Sequence, residues 1–205
     1  MHAETVMNQS DFKQCASFHG HVCPGLSMGY RAAKLAMEKL GLTRSEDEEI
    51  VAIVETDACS ADAVQVLTGC TFGKGNLIYR DYGKNVLTIL DRTSGKAVRV
   101  STKPAAYQPD PVHMALIQKA IAGTATPEEM KQFEEKHAER TRQVLEAPAE
   151  TLFDARFVEI DLPSKARIEP SKPCERCQEP VMQSKLVEVG GKRLCRECAG
   201  KEGGR

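Results

Sequence analysis

Between Pro24 and Gly41 small residues recur at spacings of three and four, at Gly25, Gly29, Ala33 and Ala36. The pattern predicts a helix with a narrow face on which another backbone can pack closely. Pro24 suits the first helical position and Gly41 supplies the stop. Just before it, "DFKQCASF" predicts a short helix with Ser10 as N-cap and Gly20 as its end. "VAIVET" is mostly β-branched and reads as a buried strand. "DACSADAVQVLTG" reads as a helix, capped by Asp57 or Ser60 and ended by Gly69. "NLIYRDYG", "NVLTILDR" and "KAVRVST" are three more strands, the last two joined by "TSG", whose glycine suits a hairpin. Tight turns between neighbours predict antiparallel pairing.

After "KPAAYQPDP", whose prolines break structure, residues 112–122 and 127–146 predict two helices, the second with Thr126 as N-cap and Glu129 in the capping-box position. "FDARFVEIDLP" alternates as a final strand. Helices and hairpins that do not form regular βαβ units indicate an α+β fold, an antiparallel sheet with packed helices over residues 1–165. From residue 163 to 173 the composition turns to Pro, Ser, Lys and Arg, which predicts a linker into a small second domain at 166–205.

Length and composition allow this division: 205 residues with 41% hydrophobic content can bury one core and carry an appendage. A formal net charge of -1 excludes bulk attraction to nucleic acid or an anionic membrane. The opening "MHAETVMNQS" lacks the basic stretch and apolar run of a signal peptide, and no segment approaches the roughly 18 to 20 apolar residues that cross a bilayer. The expectation is therefore a cytoplasmic protein without a membrane partner. In that compartment cysteines serve as ligands, nucleophiles or small buried groups rather than disulfides, so eight of them are informative.

Four fall late. Cys174, Cys177, Cys195 and Cys198 form C-x2-C-x17-C-x2-C, the spacing of a structural zinc site. Two residues between thiolates let one turn offer both to an ion, and "KLVEVGGKRL" supplies a hairpin, turning at Gly190-Gly191, that returns the second pair. A treble clef or zinc ribbon follows, with Cys195 and Cys198 at the start of a short helix. A segment of this size has too little core to fold without such a staple. The basic residues around it are offset by acids and no aromatic side chain is present for base stacking, so nucleic acid is a poor partner.

The other candidate centre is "FHGHVCPGLSMGYR". In an extended segment His19, His21 and Cys23 would project to one side, and the proline disfavours a helical Cys23. At the N-terminus of the next helix the Cys23 sulfur would meet unpaired amides, which favours thiolate. A thiolate beside two imidazoles suits zinc, iron or nickel. Cys59, also at a helix start, is a second reactive position, with Glu55, Asp57 and Asp62 nearby. The last two acids serve equally well as cap and first-turn residues. "GCTFGKGN" can cradle an anion with Lys74, although Gly69 and Gly73 enclose three residues and Gly75 follows the lysine, so it is no Walker loop. Cys15 and Cys70 read as buried, His113 and His137 as ordinary structural histidines, and His2 as disordered.

"FHGHVCPGLSMGYR", "DACSADAVQVLTGCTFGKGNL" and "RDYGKNVLTILDR", followed by a cysteine zinc module, closely resemble the FmdE-like proteins, the family related to formylmethanofuran dehydrogenase. The resemblance implies an α+β core, a treble-clef auxiliary domain, homodimers, and a core site of His19, His21, Cys23 and Cys59. It does not imply a methane-forming pathway. Three readings follow. In the first, His21, Cys23 and Cys59 hold a second divalent metal (zinc, iron or nickel) in a redox or one-carbon accessory enzyme. His19 is then a fourth ligand or proton carrier, and Lys74 holds a small anionic substrate. In the second, Cys23 and Cys59 are a metal-free thiol or persulfide pair serving a molybdenum or tungsten cofactor. In the third, the zinc module is a non-catalytic adaptor of a larger oxidoreductase complex.

Overall fold

Three helices open the chain: α1 (Ala3–Met7), α2 (Ser10–His19) and α3 (Pro24–Leu40). The computed structural model describes residues 2–107 and 110–202, so Gln108 and Pro109 of the proline-broken stretch lie outside the described residues. Five residues cannot hold a helix alone. Instead α1 forms because Ala3 and Val6 are buried and the Ala3 amide donates to Glu146 Oε1 at 3.0 Å. His2, expected to be disordered, is its N-cap. Helix α2 is capped by Gln9 rather than Ser10, because the Gln9 carbonyl already accepts the Lys13 amide at 3.0 Å. Gly20 ends it in the left-handed region, and Gly41 ends α3 in the same way.

Strand β1 (Ile50–Val54), helix α4 (Ser60–Thr68), and strands β2 (Leu77–Tyr79), β3 (Val86–Asp91) and β4 (Ala97–Thr102) follow. After a 3-10 turn at Pro104–Tyr107 come α5 (Pro111–Ala122), α6 (Pro127–Glu146), the short α7 (Ala149–Leu152) and β5 (Phe153–Val158). The five-stranded sheet has the order β2-β1-β3-β4-β5. Three of its ladders are antiparallel, as the tight turns predict, but β1 and β2 run parallel. Helix α4 occupies their connection and carries the chain back to run in the same direction, which a tight turn cannot do. The result is an α+β fold with one crossover.

Ile50, Ala52, Val54, Ile89, Val98 and Val100 belong to the main core with the buried residues of α3 and α4. Val51, Ile53, Leu90 and Ala97 form a second cluster, against which Ile160 packs. The chain beyond β5 is tied down there, since Arg92 Nη1 donates to the Pro163 carbonyl at 2.6 Å. Arg31, on α3, donates to the carbonyls of Val144, Leu145 and Ala147. It thereby satisfies the orphan acceptors at the end of α6 and fixes that helix to α3. At its other end α6 has the capping box of Thr126 and Glu129, and it supports α5 as a helical hairpin.

The chain divides into two units, Met1–Lys165 and Ala166–Arg205. The second contains β6 (Ser171–Pro173) paired with β7 (Pro180–Met182), β8 (Val187–Val189) paired with β9 (Lys192–Leu194), and α8 (Arg196–Glu202). Strand β6 takes up the end of the stretch expected to be linker. Gly190 and Gly191 both have positive φ, 58° and 75°, as a two-residue hairpin turn between β8 and β9 requires. Among the described residues no helix is long and apolar enough to cross a membrane.

Candidate metal centre and its cavity

His19 is the last residue of α2 and Cys23 is the N-cap of α3. The connection is not the extended run the alternation suggested. His19 is helical, Gly20 turns the chain at φ 93°, and Cys23 is extended, at φ -146° and ψ 164°. A helix, a left-handed turn and a helix start bring the donors together. His19 Nε2 lies 3.7 Å from Cys23 Sγ, and ligand atoms of His19, His21 and Cys23 all lie within 4.8 Å of one another. The nitrogen-to-sulfur edge of a tetrahedral zinc site is about 3.6 Å for ordinary bond lengths. The three donors therefore fit one ion.

His19 is held in place from behind. Its Nδ1 lies 2.7 Å from Asp62 Oδ2, which leaves Nε2 facing Cys23. Asp62 is in the first turn of α4, where an acid suits the helix dipole, and Gln65 donates to its other oxygen at 3.2 Å. A carboxylate behind a ligating imidazole fixes the ring and raises its basicity. Asp62→Ala is thus expected to weaken core metal affinity by roughly 10- to 100-fold. Competition with a chromogenic chelator measures this, and affinity at the four-cysteine site should be unchanged.

Cys59 arrives by close packing. It takes the N-cap of α4, where Asp57 or Ser60 was expected, and its side chain makes no capping bond. A Cβ built on Gly25 would lie 3.1 Å from Cys59 Cβ, and one on Gly29 would lie 2.2 Å from the Ser60 carbonyl oxygen. The small-residue face of α3 thus admits the start of α4, and the Cys59 and Cys23 sulfurs both come to lie against Gly25. Cys59 stands beside Cys23 without lying within 4.8 Å of all three clustered donors. Glu55 is committed elsewhere, to Arg99 at 3.2 Å.

Two expectations need correcting. Burial pushes the Cys23 thiol up to about 11, outweighing the Leu26 amide that donates to it at 3.2 Å. Burial thus favours the thiol form, and a bound metal would displace its proton. Lys74 does not reach the cavity. Its Nζ donates to the carbonyls of Glu46 and Asp47, both at 3.3 Å. The glycine-rich loop is closed on itself by the buried Asn76, whose side chain accepts from the Thr71 amide and donates to the Asp47 and Ile50 carbonyls. It is a structural loop.

His21, Cys23 and Cys59 line a cavity of about 740 Å³ whose far wall is the α5–α6 hairpin. On that wall His113 and His137, expected to be ordinary, face the cavity with Nε2 and Nδ1 3.3 Å apart and with Phe133 beside them. Burial lowers the pKa of both imidazoles, and that of His137 is lowered further by His113 and by His21. Phe133 and His137, four apart on α6, were the available signal for this wall. Cys15 and Cys70 are buried in the main core, Cys70 donating to the Ile50 carbonyl.

In the second unit the sulfurs of Cys174, Cys177, Cys195 and Cys198 lie within 4.8 Å of one another. Amides of Cys177 and Cys195 draw the Cys174 thiol down to about 6, and the Cys195 sulfur accepts the Cys198 amide at 3.3 Å. Four converging thiols held this way form a structural zinc site.

Residues 18–154 match the family described as "FmdE, Molybdenum formylmethanofuran dehydrogenase operon". The chain belongs to the FmdE family. The matched span contains every donor of the core cluster, and residues 167–202 match the prokaryotic dksA/traR C4-type zinc finger. This FmdE chain is similar to a tungsten formylmethanofuran dehydrogenase FmdE-like protein from Syntrophus aciditrophicus. That likeness has a TM-score of 0.62 and 25% identity, covering 97% of this chain and 92% of that one. It is also 39% identical over 190 residues to a "Probable S-adenosyl-L-methionine-binding protein" of Archaeoglobus fulgidus. The match covers 89% of this chain but only 50% of that relative. The chain thus spans half the relative's length, and the binding in its name belongs to the longer protein.

Proposed function

We propose that this FmdE protein is a metal-dependent accessory enzyme of redox or one-carbon chemistry, its reaction taking place in the cavity. His19, His21 and Cys23 would hold a divalent ion, Cys59 would supply a fourth donor or face the substrate, and Asp62 would orient His19. A bound ion would supply Lewis acidity and a position open to water or substrate. The convergence of two imidazoles and a sulfur, with a carboxylate behind one ring, carries this reading. It tells against an adaptor with an idle core. The burial of Cys23, which raises its pKa, gives less support to a metal-free thiol pair, because the thiolate is the nucleophile.

Elemental analysis of the full chain is the test. Two ions per chain are expected, with one lost in a His19→Ala/Cys23→Ser variant and the other in Cys174→Ser. A single ion that disappears only with Cys174 would overturn the core site. Rapid alkylation of Cys23 or Cys59 that added metal fails to slow would favour the thiol pair instead.

A further inference from the structure

The cavity is far larger than a metal ion and its water need. At about 740 Å³ it falls in the range of small-molecule sites, roughly 300 to 1,000 Å³. Its far wall is made of rings. Phe133 and His137 have centroids 4.9 Å apart, and His113 joins them at 6.2 Å and 5.5 Å. Met28, Ile117 and Val144 add apolar surface.

The charges that line the cavity are already engaged within the hairpin and its approach. Lys136 bonds Asp110 at 2.6 Å, Arg140 donates to the Ala106 carbonyl and to Gln143, and Gln143 donates to Glu139 at 3.2 Å. Two cations and two acids cancel. With Lys74 held elsewhere, these four lining charges give no net positive charge to attract an anionic ligand.

We propose that the cavity binds an uncharged, planar aromatic or heteroaromatic small molecule, its ring stacked on the Phe133 and His137 wall and its donor edge toward His21 and Cys23. Stacking on these rings favours an aromatic ligand, whereas an anion entering a lining of no net charge would lose its hydration without a net opposite charge to replace it. This deepens the functional reading of the same cavity by naming its ligand class, but stacking on the hairpin does not need the ion.

The test uses the full chain and two fluorophores, neutral phenylnaphthylamine and its anionic relative anilinonaphthalene sulfonate. The neutral probe is expected to bind at one site per chain with blue-shifted emission, and the sulfonate about tenfold more weakly or not at all. Phe133→Ala should weaken the neutral probe about tenfold, and Phe133→Leu, which keeps the bulk and removes the ring, by a similar factor. Chain loaded with one zinc ion and chain loaded with two should bind the neutral probe with the same affinity, which separates this proposal from the metal reading. Wild-type affinity in Phe133→Leu, or a sulfonate that binds as tightly as the neutral probe, would overturn it.

Discussion

Gly29→Ala is expected to destabilise the core unit by about 3 kcal/mol or more, at the upper end for overpacking. The new methyl would lie 2.2 Å from the Ser60 carbonyl oxygen and 2.5 Å from its Cα. Both are backbone atoms, so no side chain can rotate away and α4 itself must move. That motion would carry Cys59 from Cys23 and Asp62 from His19, and core metal affinity should fall with stability. Gly41→Ala is the control. Gly41 has φ 66° but nothing within 4 Å of an added Cβ, so that variant meets only the cost of a left-handed residue, about 1 kcal/mol. Urea midpoints of the metal-loaded chain, with chelator competition alongside, measure both. If the two variants lost the same stability, close approach of α3 and α4 would not be what positions the site.

Removing zinc is expected to unfold residues 166–202 while leaving the core unit folded. The buried cluster of the second unit is Cys174, Leu194 and Cys198, so two of its three members are ligands. Its strands are three residues long. Such a unit has too little apolar surface to offset its chain entropy. Zinc binding in comparable modules contributes roughly 10 to 16 kcal/mol, which is the folding free energy. Cys174→Ser should therefore act like chelation. Amide exchange is the measurement: protection should vanish at Val187–Val189 and Lys192–Leu194 and persist at Ile50–Val54 and Val86–Asp91. Protection that survived chelation in the hairpin would show that the unit folds on its own contacts.

Much of this arrangement was legible along the chain because its causes are local. Pro24 and Gly41 bound α3 at the positions their backbone preferences dictate, and Thr126 with Glu129 marks the start of α6 to the residue. The late cysteine spacing marks a zinc module because a two-residue gap is itself a local geometry, and the four sulfurs do converge. Reading failed where an outcome depended on solvent or on remote partners. The helix end beside Cys23 suggested a thiolate, but a cysteine 3% exposed is more strongly affected by desolvation than by one amide. Lys74 in a glycine-rich loop suggested an anion site, but the carbonyls that hold it come from more than 25 residues away.

The sequence alone determined most helices and strands of the core unit, where several of them stop, and which donors lie near one another along the chain, because dihedral preferences and short spacings act within a few residues. Only the tertiary structure decided that Asp62 stands behind His19, that Cys59 meets Cys23, and that Phe133, His113 and His137 form the opposite wall of the cavity. Those pairings join residues tens of positions apart. They exist because α4 packs into the small-residue face of α3 and Arg31 anchors α6; the face was legible along the chain, but no local preference names the element that meets it.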